Sequence, residues 1–231
     1  MEQQPFQGFS EAANEFLWGI RLNNERSWFQ EHKQEFEEHL NRPFRVLAND
    51  TLALMQEAFP EYNFMAHVSR IYRDARRLFG RGPYYDYMWF SIQPEIDKSR
   101  GPRFWFELDP QGYSHGMGYW DGTPAFAEAF RKKIAAHPAQ FEEIILSVPD
   151  RERGWLRGEE YKKPKGHFNE RIDPWFNRKT IEVGYNDFFE KLIFTDMLPE
   201  LLTASYSQLT PLFDFMLDAY HVAEKARTES E

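Results

Sequence analysis

The spacing of apolar residues changes along the chain and restricts the folds it can adopt. In the first quarter, apolar residues recur every three or four positions, as in Phe16, Leu17 and Ile20, which is typical of helices with one buried face. From about residue 63 the spacing shortens, and β-branched and aromatic residues dominate. Helical spacing returns later and continues to the C-terminal region. This order predicts an α+β fold rather than alternating βαβ units.

Capping residues and prolines predict where the helices begin. Ser10 suits the N-cap of a first helix, and Asn24 suits the N-cap of a second. Pro43 suits the first turn of a third helix, where its missing N–H costs no hydrogen bond. Thr123 and Pro138 mark the start of two further helices, the first reaching about residue 137. A long amphipathic helix is expected near the C-terminal end, with residues 226–231 frayed.

The strands are expected near residues 65–73, 84–93, 103–109, 112–120 and 180–185. The segment "LDPQGY" joins two of them, and Pro110 and Gly112 favour a turn that makes an antiparallel hairpin. No repeat or linker divides the chain. We therefore predict a single domain, residues 1–231, in which an antiparallel sheet is flanked by N-terminal helices and a long C-terminal helix.

Composition excludes several classes of protein. The 231 residues include no Cys, which removes disulfides and thiolate nucleophiles and fits a reducing compartment. The N-terminal residues lack the pattern of a secretory leader, and no apolar run is long enough to span a bilayer. We expect a cytoplasmic protein that does not bind membranes. The net charge of −9 argues against nucleic acid as a partner.

Positive charge is concentrated in two basic islands, residues 69–105 and 151–179. Each island carries a net charge of +4, which leaves −17 for the rest of the chain. The islands are either two halves of one site or two solvated surfaces, and charge counting does not separate these alternatives. In the second island, "RGEEYKKPKGHFNE" offers Lys162 as a candidate ligand-binding residue.

The first island contains "SRIYRDARRLFGRGPYYDYMWF", residues 69–90. A strand that ends or bulges near Tyr72 would leave Arg70 on the sheet and place three other arginines on a loop: Arg73, Arg77 and Arg81. Guanidinium groups bind phosphate or carboxylate through two parallel hydrogen bonds. Tyr84 follows the loop, and aromatic rings beside arginines can stack a base or a sugar. These residues predict a site for an anionic small molecule.

Two other interpretations of this stretch remain open. The arginines could pair with nearby carboxylates such as Asp74 and Asp86, in which case they only stabilise the fold. Alternatively, the basic and aromatic surface could receive a protein partner, because Arg, Tyr and Trp are enriched at interface cores. That second function would make the protein a non-catalytic interaction module.

No reaction is identified by sequence motifs. There is no phosphate-binding loop, nucleophile elbow, kinase signature or HExxH zinc motif. The segment "GMGYWDG" lacks the glycine spacing of a dinucleotide-binding turn. His115 is expected on the apolar face of the hairpin, where histidines are more often structural than catalytic. We therefore predict no metal or cofactor, and name no catalytic residue.

Several motifs together resemble a known family. They are "FQGFSEAANEFLWGIRLNNERSWFQEHKQEFE", "RIYRDARR" followed by "PYYDYMWF", and "GEEYKKPKG". In this order they are similar to the uncharacterised domain-of-unknown-function family 2461, and the resemblance covers most of the chain. It implies one compact domain and no assigned activity. Tyr85 stands where many members have Lys, which weakens any role for charge at that position.

Overall fold

The structure is a computed structural model that describes residues 4–95, 100–149, 154–188 and 191–229, without the side chains of residues 77 and 188. The helices are α1 Glu11–Leu22, α2 Arg26–Glu31, α3 Lys33–Glu35, α4 Arg42–Ala58, α5 Pro124–Ala136, α6 Pro138–Ser147, α7 Asp173–Phe176 and α8 Leu198–Thr228. The strands are β1 Phe64–Val68, β2 Met88–Pro94, β3 Arg103–Asp109, β4 Gly112–Tyr119, β5 Gly154–Arg157 and β6 Ile181–Phe188.

The strands form one antiparallel sheet in the order β1-β2-β3-β4-β6-β5, which confirms the α+β prediction. The hairpin of β3 and β4 turns at Pro110 and Gln111. The Asp109 carboxylate closes this turn by accepting hydrogen bonds from the backbone N–H groups of Gln111 at 2.6 Å and Gly112 at 3.1 Å. Strand β5 was not predicted. It pairs with β6 so that Gly154 lies opposite Tyr185.

Contacts along the chain divide it into two compact units. The first comprises Met1–Ile92, Trp105–His115 and Asn186–Thr203, and the second comprises Gln93–Phe104, Gly116–Tyr185 and Ala204–Glu231. The prediction of a single domain over residues 1–231 therefore stays a prediction. No helix in the described ranges is both long enough and apolar enough to cross a bilayer.

Aromatic side chains join the helices of the first unit to its strands. The ring of Phe44, on α4, lies 5.7 Å from that of Phe90 and 5.8 Å from that of Phe106, measured between centroids. Phe29, on α2, stacks on Tyr84 at 4.3 Å. Because all five rings are buried, the N-terminal helices cover the core of this unit.

Of two predictions about the N-terminal helices, the position of Pro43 agrees with the structure and the capping role of Asn24 does not. Pro43 does lie in the first turn of α4, but α4 continues directly from a π-helical segment, Phe36–Asn41. The N–H of Arg42 donates to the carbonyl of Glu37, five residues earlier, which is the hydrogen-bond spacing of a π-helix. The prediction that Asn24 caps the second helix is wrong. Glu25 occupies the N-cap of α2, and the Asn24 side chain bonds elsewhere.

From Ala204 onward, α8 belongs to the second unit. Phe104, at the start of β3, packs against two residues of this helix, Tyr206 at 5.0 Å and Phe213 at 4.5 Å between ring centroids. The start of α5 is confirmed as predicted, because the Thr123 hydroxyl accepts a hydrogen bond of 3.3 Å from the backbone N–H of Phe126. The predicted starts of α1 and α6 also agree with the structure.

Replacing Phe44 tests the packing of the first unit. Phe44→Ala should lower the free energy of unfolding by about 3–5 kcal/mol, because it leaves a cavity between α4 and the strands. Leu22→Ala, which removes a side chain that is 76% exposed, should change it by less than about 0.5 kcal/mol. Urea titration followed by circular dichroism measures both. Equal effects of the two substitutions would contradict the packing described.

Candidate functional site

The first basic island forms a loop at the end of an irregular ribbon made of two antiparallel segments of the chain. Strand β1 ends at Val68, but antiparallel pairing continues beyond it. Ser69 N–H donates to the carbonyl of Trp89 at 2.8 Å, and Arg73 N–H donates to the carbonyl of Pro83 at 2.9 Å. Tyr72 and Tyr84 form an isolated bridge. We call residues 73–84 the arginine loop.

Arg73 secures the base of the arginine loop. Its Nε donates to the carbonyl of Tyr84 at 2.7 Å, and its Nη2 lies 3.8 Å from Asp86 Oδ1. The guanidinium carbon lies 4.2 Å from the centroid of the Tyr85 ring. The Arg73 side chain is only 13% exposed. These contacts give Arg73 a structural role. They agree with the interpretation in which the arginines stabilise the fold.

Asn24 holds the other side of the loop base. Its Nδ2 donates to the Tyr84 carbonyl at 3.0 Å, and its Oδ1 accepts from the Tyr84 N–H at 3.0 Å. The amide thus pairs with Tyr84 as a neighbouring strand would. A Cβ at position 82 would lie 2.2 Å from Asn24 Oδ1, so only glycine fits there. Asn24 therefore takes up the space beside Gly82.

The tip of the arginine loop is exposed and tightly turned. Asp74 caps the short turn Ala75–Arg77, accepting from the Arg76 N–H at 3.0 Å. It also binds the Arg76 guanidinium through two hydrogen bonds, of 3.0 and 2.8 Å, and this bonding raises the pKa of Arg76. Beyond that turn, Arg81 N–H donates to the carbonyl of Leu78 at 2.9 Å.

The backbone at the tip changes from a right-handed residue to residues with positive φ, a change that also occurs in backbone nests. Leu78 is right-handed helical, with φ −68° and ψ −41°, whereas Phe79 and Gly80 have φ of +48° and +80°. Successive right- and left-handed residues direct neighbouring N–H groups into one concavity. In the ranges that the structure describes, no acceptor takes a hydrogen bond from the N–H of Phe79 or Gly80.

The predicted site residues fall into different environments. Arg81 is exposed at the tip, and Arg70 is exposed just beyond β1 instead of on the sheet face. The Arg77 side chain lies outside the described part of the chain. Tyr84 is 2% exposed, and burial raises the pKa of its phenol. Lys162 is exposed in the second unit.

Sequence reasoning missed Phe79 and assigned a different role to Asn24. Phe79 is 83% exposed, and its left-handed backbone is uncommon for a bulky residue. His115 is buried, as expected for the hairpin face. Among the described residues, no three carboxylate or histidine side chains gather closely enough to hold a metal ion.

The chain matches the model of the family described as "Conserved hypothetical protein (DUF2461)" over residues 12–215, and it belongs to this family. The resemblance drawn from the sequence motifs is thereby confirmed. No curated protein matches the chain significantly.

The two Asp-paired arginines of the loop should differ in their effects on stability. Arg73→Ala should lower the free energy of unfolding by about 2 kcal/mol, because it removes a charged donor from the buried Tyr84 carbonyl and leaves Asp86 with less compensation. Arg76→Ala removes an exposed, solvent-screened ion pair and should have a much smaller effect. Thermal and urea unfolding measure both variants. A larger loss for Arg76→Ala would refute the assignment of Arg73 as the anchor.

Proposed function

We propose that the protein binds an anionic small molecule, phosphorylated or carboxylated, at the tip of the arginine loop. The observation that carries the proposal is the nest at Leu78–Gly80, whose two N–H groups have no acceptor in the described residues. Oxyanions bind at such nests because several N–H dipoles converge on them. Arg81, whose Nε donates to the Leu78 carbonyl at 3.4 Å, is exposed beside the nest and adds the positive charge of its guanidinium.

The base of the loop supports the proposal by making the tip less costly to order. Arg73 and Asn24 both bond to the backbone of Tyr84, so the two ends of the loop are held together without a ligand. Binding to a loop that is already closed loses less conformational entropy than binding to an open one. Arg73 and Tyr84, two of the predicted ligand-binding residues, would then act by positioning the tip.

The proposal includes a cytoplasmic location and excludes nucleic acid as the ligand. The absence of cysteine fits a reducing compartment. Outside the two basic islands the chain carries a charge of −17, which repels an extended phosphate backbone that reaches beyond the islands. A small anion at the loop tip is affected only by charges within about a Debye length.

Thermal unfolding in different anions tests the proposal. Phosphate or succinate should raise the melting temperature of the protein more than chloride at equal ionic strength, since a ligand that binds only the native state stabilises it. The double variant Arg77→Ala, Arg81→Ala should lose most of this specific increment. The matched control is Arg42→Ala, Arg45→Ala, which removes two exposed arginines from α4.

The control should retain the full increment, because it changes net charge by the same amount without touching the loop. The proposal fails if the loop variant keeps the whole oxyanion response, or if wild-type protein does not distinguish phosphate and succinate from chloride.

Recognition of a protein partner is a second candidate function, and the exposure of Phe79 favours it. A large apolar side chain at a loop tip, flanked by Arg76 and Arg81, has the composition of an interface anchor. Tyr72, half exposed, contacts Phe29 at 5.5 Å between ring centroids and could extend such a surface.

Photo-crosslinking distinguishes this second function. A photoreactive phenylalanine analogue at position 79 should give a discrete crosslinked product with one protein in cells, and the product should weaken when Arg81 is replaced by Ala. The same analogue at position 22, another exposed apolar position in the first unit, provides the control. Equal labelling at both positions would count against a specific interface.

A further inference from the structure

Three cationic side chains surround one tyrosine in the second unit. Arg131, on α5, donates from Nη1 to the Tyr161 hydroxyl at 2.8 Å. Its guanidinium carbon lies 5.0 Å from the centroid of the Tyr161 ring. The ammonium groups of Lys165 and Lys179 lie 4.9 and 5.7 Å from the same centroid. We call these four residues the tyrosine cluster.

Backbone hydrogen bonds hold the cluster in place. Tyr161 N–H donates to the carbonyl of Asn177 at 3.0 Å, and Lys165 N–H donates to the Asn177 side-chain oxygen at 2.6 Å. Asn177 Nδ2 in turn donates to the carbonyl of Gly166 at 3.2 Å. A Cβ at position 166 would lie 2.7 Å from the Phe176 ring. The loop therefore packs closely on α7, and the backbone positions of Tyr161 and Lys165 are fixed.

Within the described residues, an ion pair engages only one of these cations. Lys179 forms an ion pair with Glu159. Neither Arg131 nor Lys165 lies within ion-pair distance of a carboxylate in the residues that the structure describes. The electron-rich face of a tyrosine attracts cations, but one ring cannot neutralise two full charges. Both cations therefore keep positive charge that a bound anion could compensate.

We propose that the tyrosine cluster binds the phosphate group of a small phosphate monoester. A phosphate ester carries a charge of about −1.5 to −2 near neutral pH, which suits a site with two cations that form no close ion pair within the described residues. Arg131 uses one donor on Tyr161 and has others in a fixed fork. Because the Tyr161 oxygen accepts from Arg131, its own O–H is free to donate to the ligand. Lys162, the predicted ligand-binding residue of this island, is exposed next to Tyr161 and adds positive potential.

This site lies wholly within the second unit and does not depend on the arginine loop. Tyr161, Arg131 and Lys165 were brought together by α5, α7 and the loop that follows β5, which are distant in sequence.

Isothermal titration of the full chain with inorganic phosphate, and in parallel with glycerol phosphate, tests the site at constant ionic strength. Arg131→Met and Lys165→Met should each weaken binding about tenfold or more, since each removes a charged donor. Tyr161→Phe removes only the hydroxyl and should weaken binding by a smaller factor. Lys132→Met is the matched control, because Lys132 neighbours Arg131 but pairs with Glu128 on the exposed face of α5.

The outcomes separate the proposals. Tighter binding of glycerol phosphate than of inorganic phosphate supports an ester ligand, and equal binding supports the free anion with the same oxyanion chemistry. The site is disproved if neither compound binds, or if folded Lys165→Met and Tyr161→Phe bind as wild type does. Loss of phosphate binding in Arg77→Ala, Arg81→Ala alone would assign it to the arginine loop instead. Circular dichroism verifies that each variant is folded.

Discussion

The carbonyl of Tyr84 is the acceptor on which the first basic island depends. It receives one hydrogen bond from Arg73 and one from Asn24, so both lone pairs of a buried oxygen are used. The same two side chains close the arginine loop and connect it to the segment between α1 and α2. A charged donor to a buried carbonyl is stronger than a neutral one, which explains why an arginine is kept in a largely buried position here. The exposed tip then requires no packing of its own.

Most of the fold could be predicted because the hydrophobic spacing agrees with the tertiary environment. The hairpin of β3 and β4, the start of α5 at Thr123 and the long α8 all follow local rules of turn and cap chemistry. Strand β5 escaped prediction because four residues within a charged segment show no alternation, and its pairing with β6 defines it. Asn24 was assigned to a helix cap because local chemistry favours that role, whereas its partner lies sixty positions later in the chain.

The candidate site was less predictable, since charge density in a sequence does not reveal pairing. Arg73, Arg76 and Arg81 look equivalent in the sequence, yet the first bonds to a buried carbonyl, the second is held by Asp74 and the third is exposed at the tip. Arg131, which contacts Tyr161 of the second island, could not have been identified at all, because it lies on α5, outside residues 151–179. Contacts between segments of the folded chain decide the roles of Arg73 and Arg131, and a single sequence contains no direct record of them.

Phe79 has a consequence for engineering the protein. A left-handed backbone costs an ordinary L-residue about 1–2 kcal/mol relative to glycine, and an exposed phenyl ring recovers little of that by burial. Exchange of Phe79 for glycine or asparagine would therefore be expected to make the protein more resistant to heat. Any screen that selects only for thermostability would favour this change and would discard the most exposed aromatic group of the arginine loop, whatever that group binds.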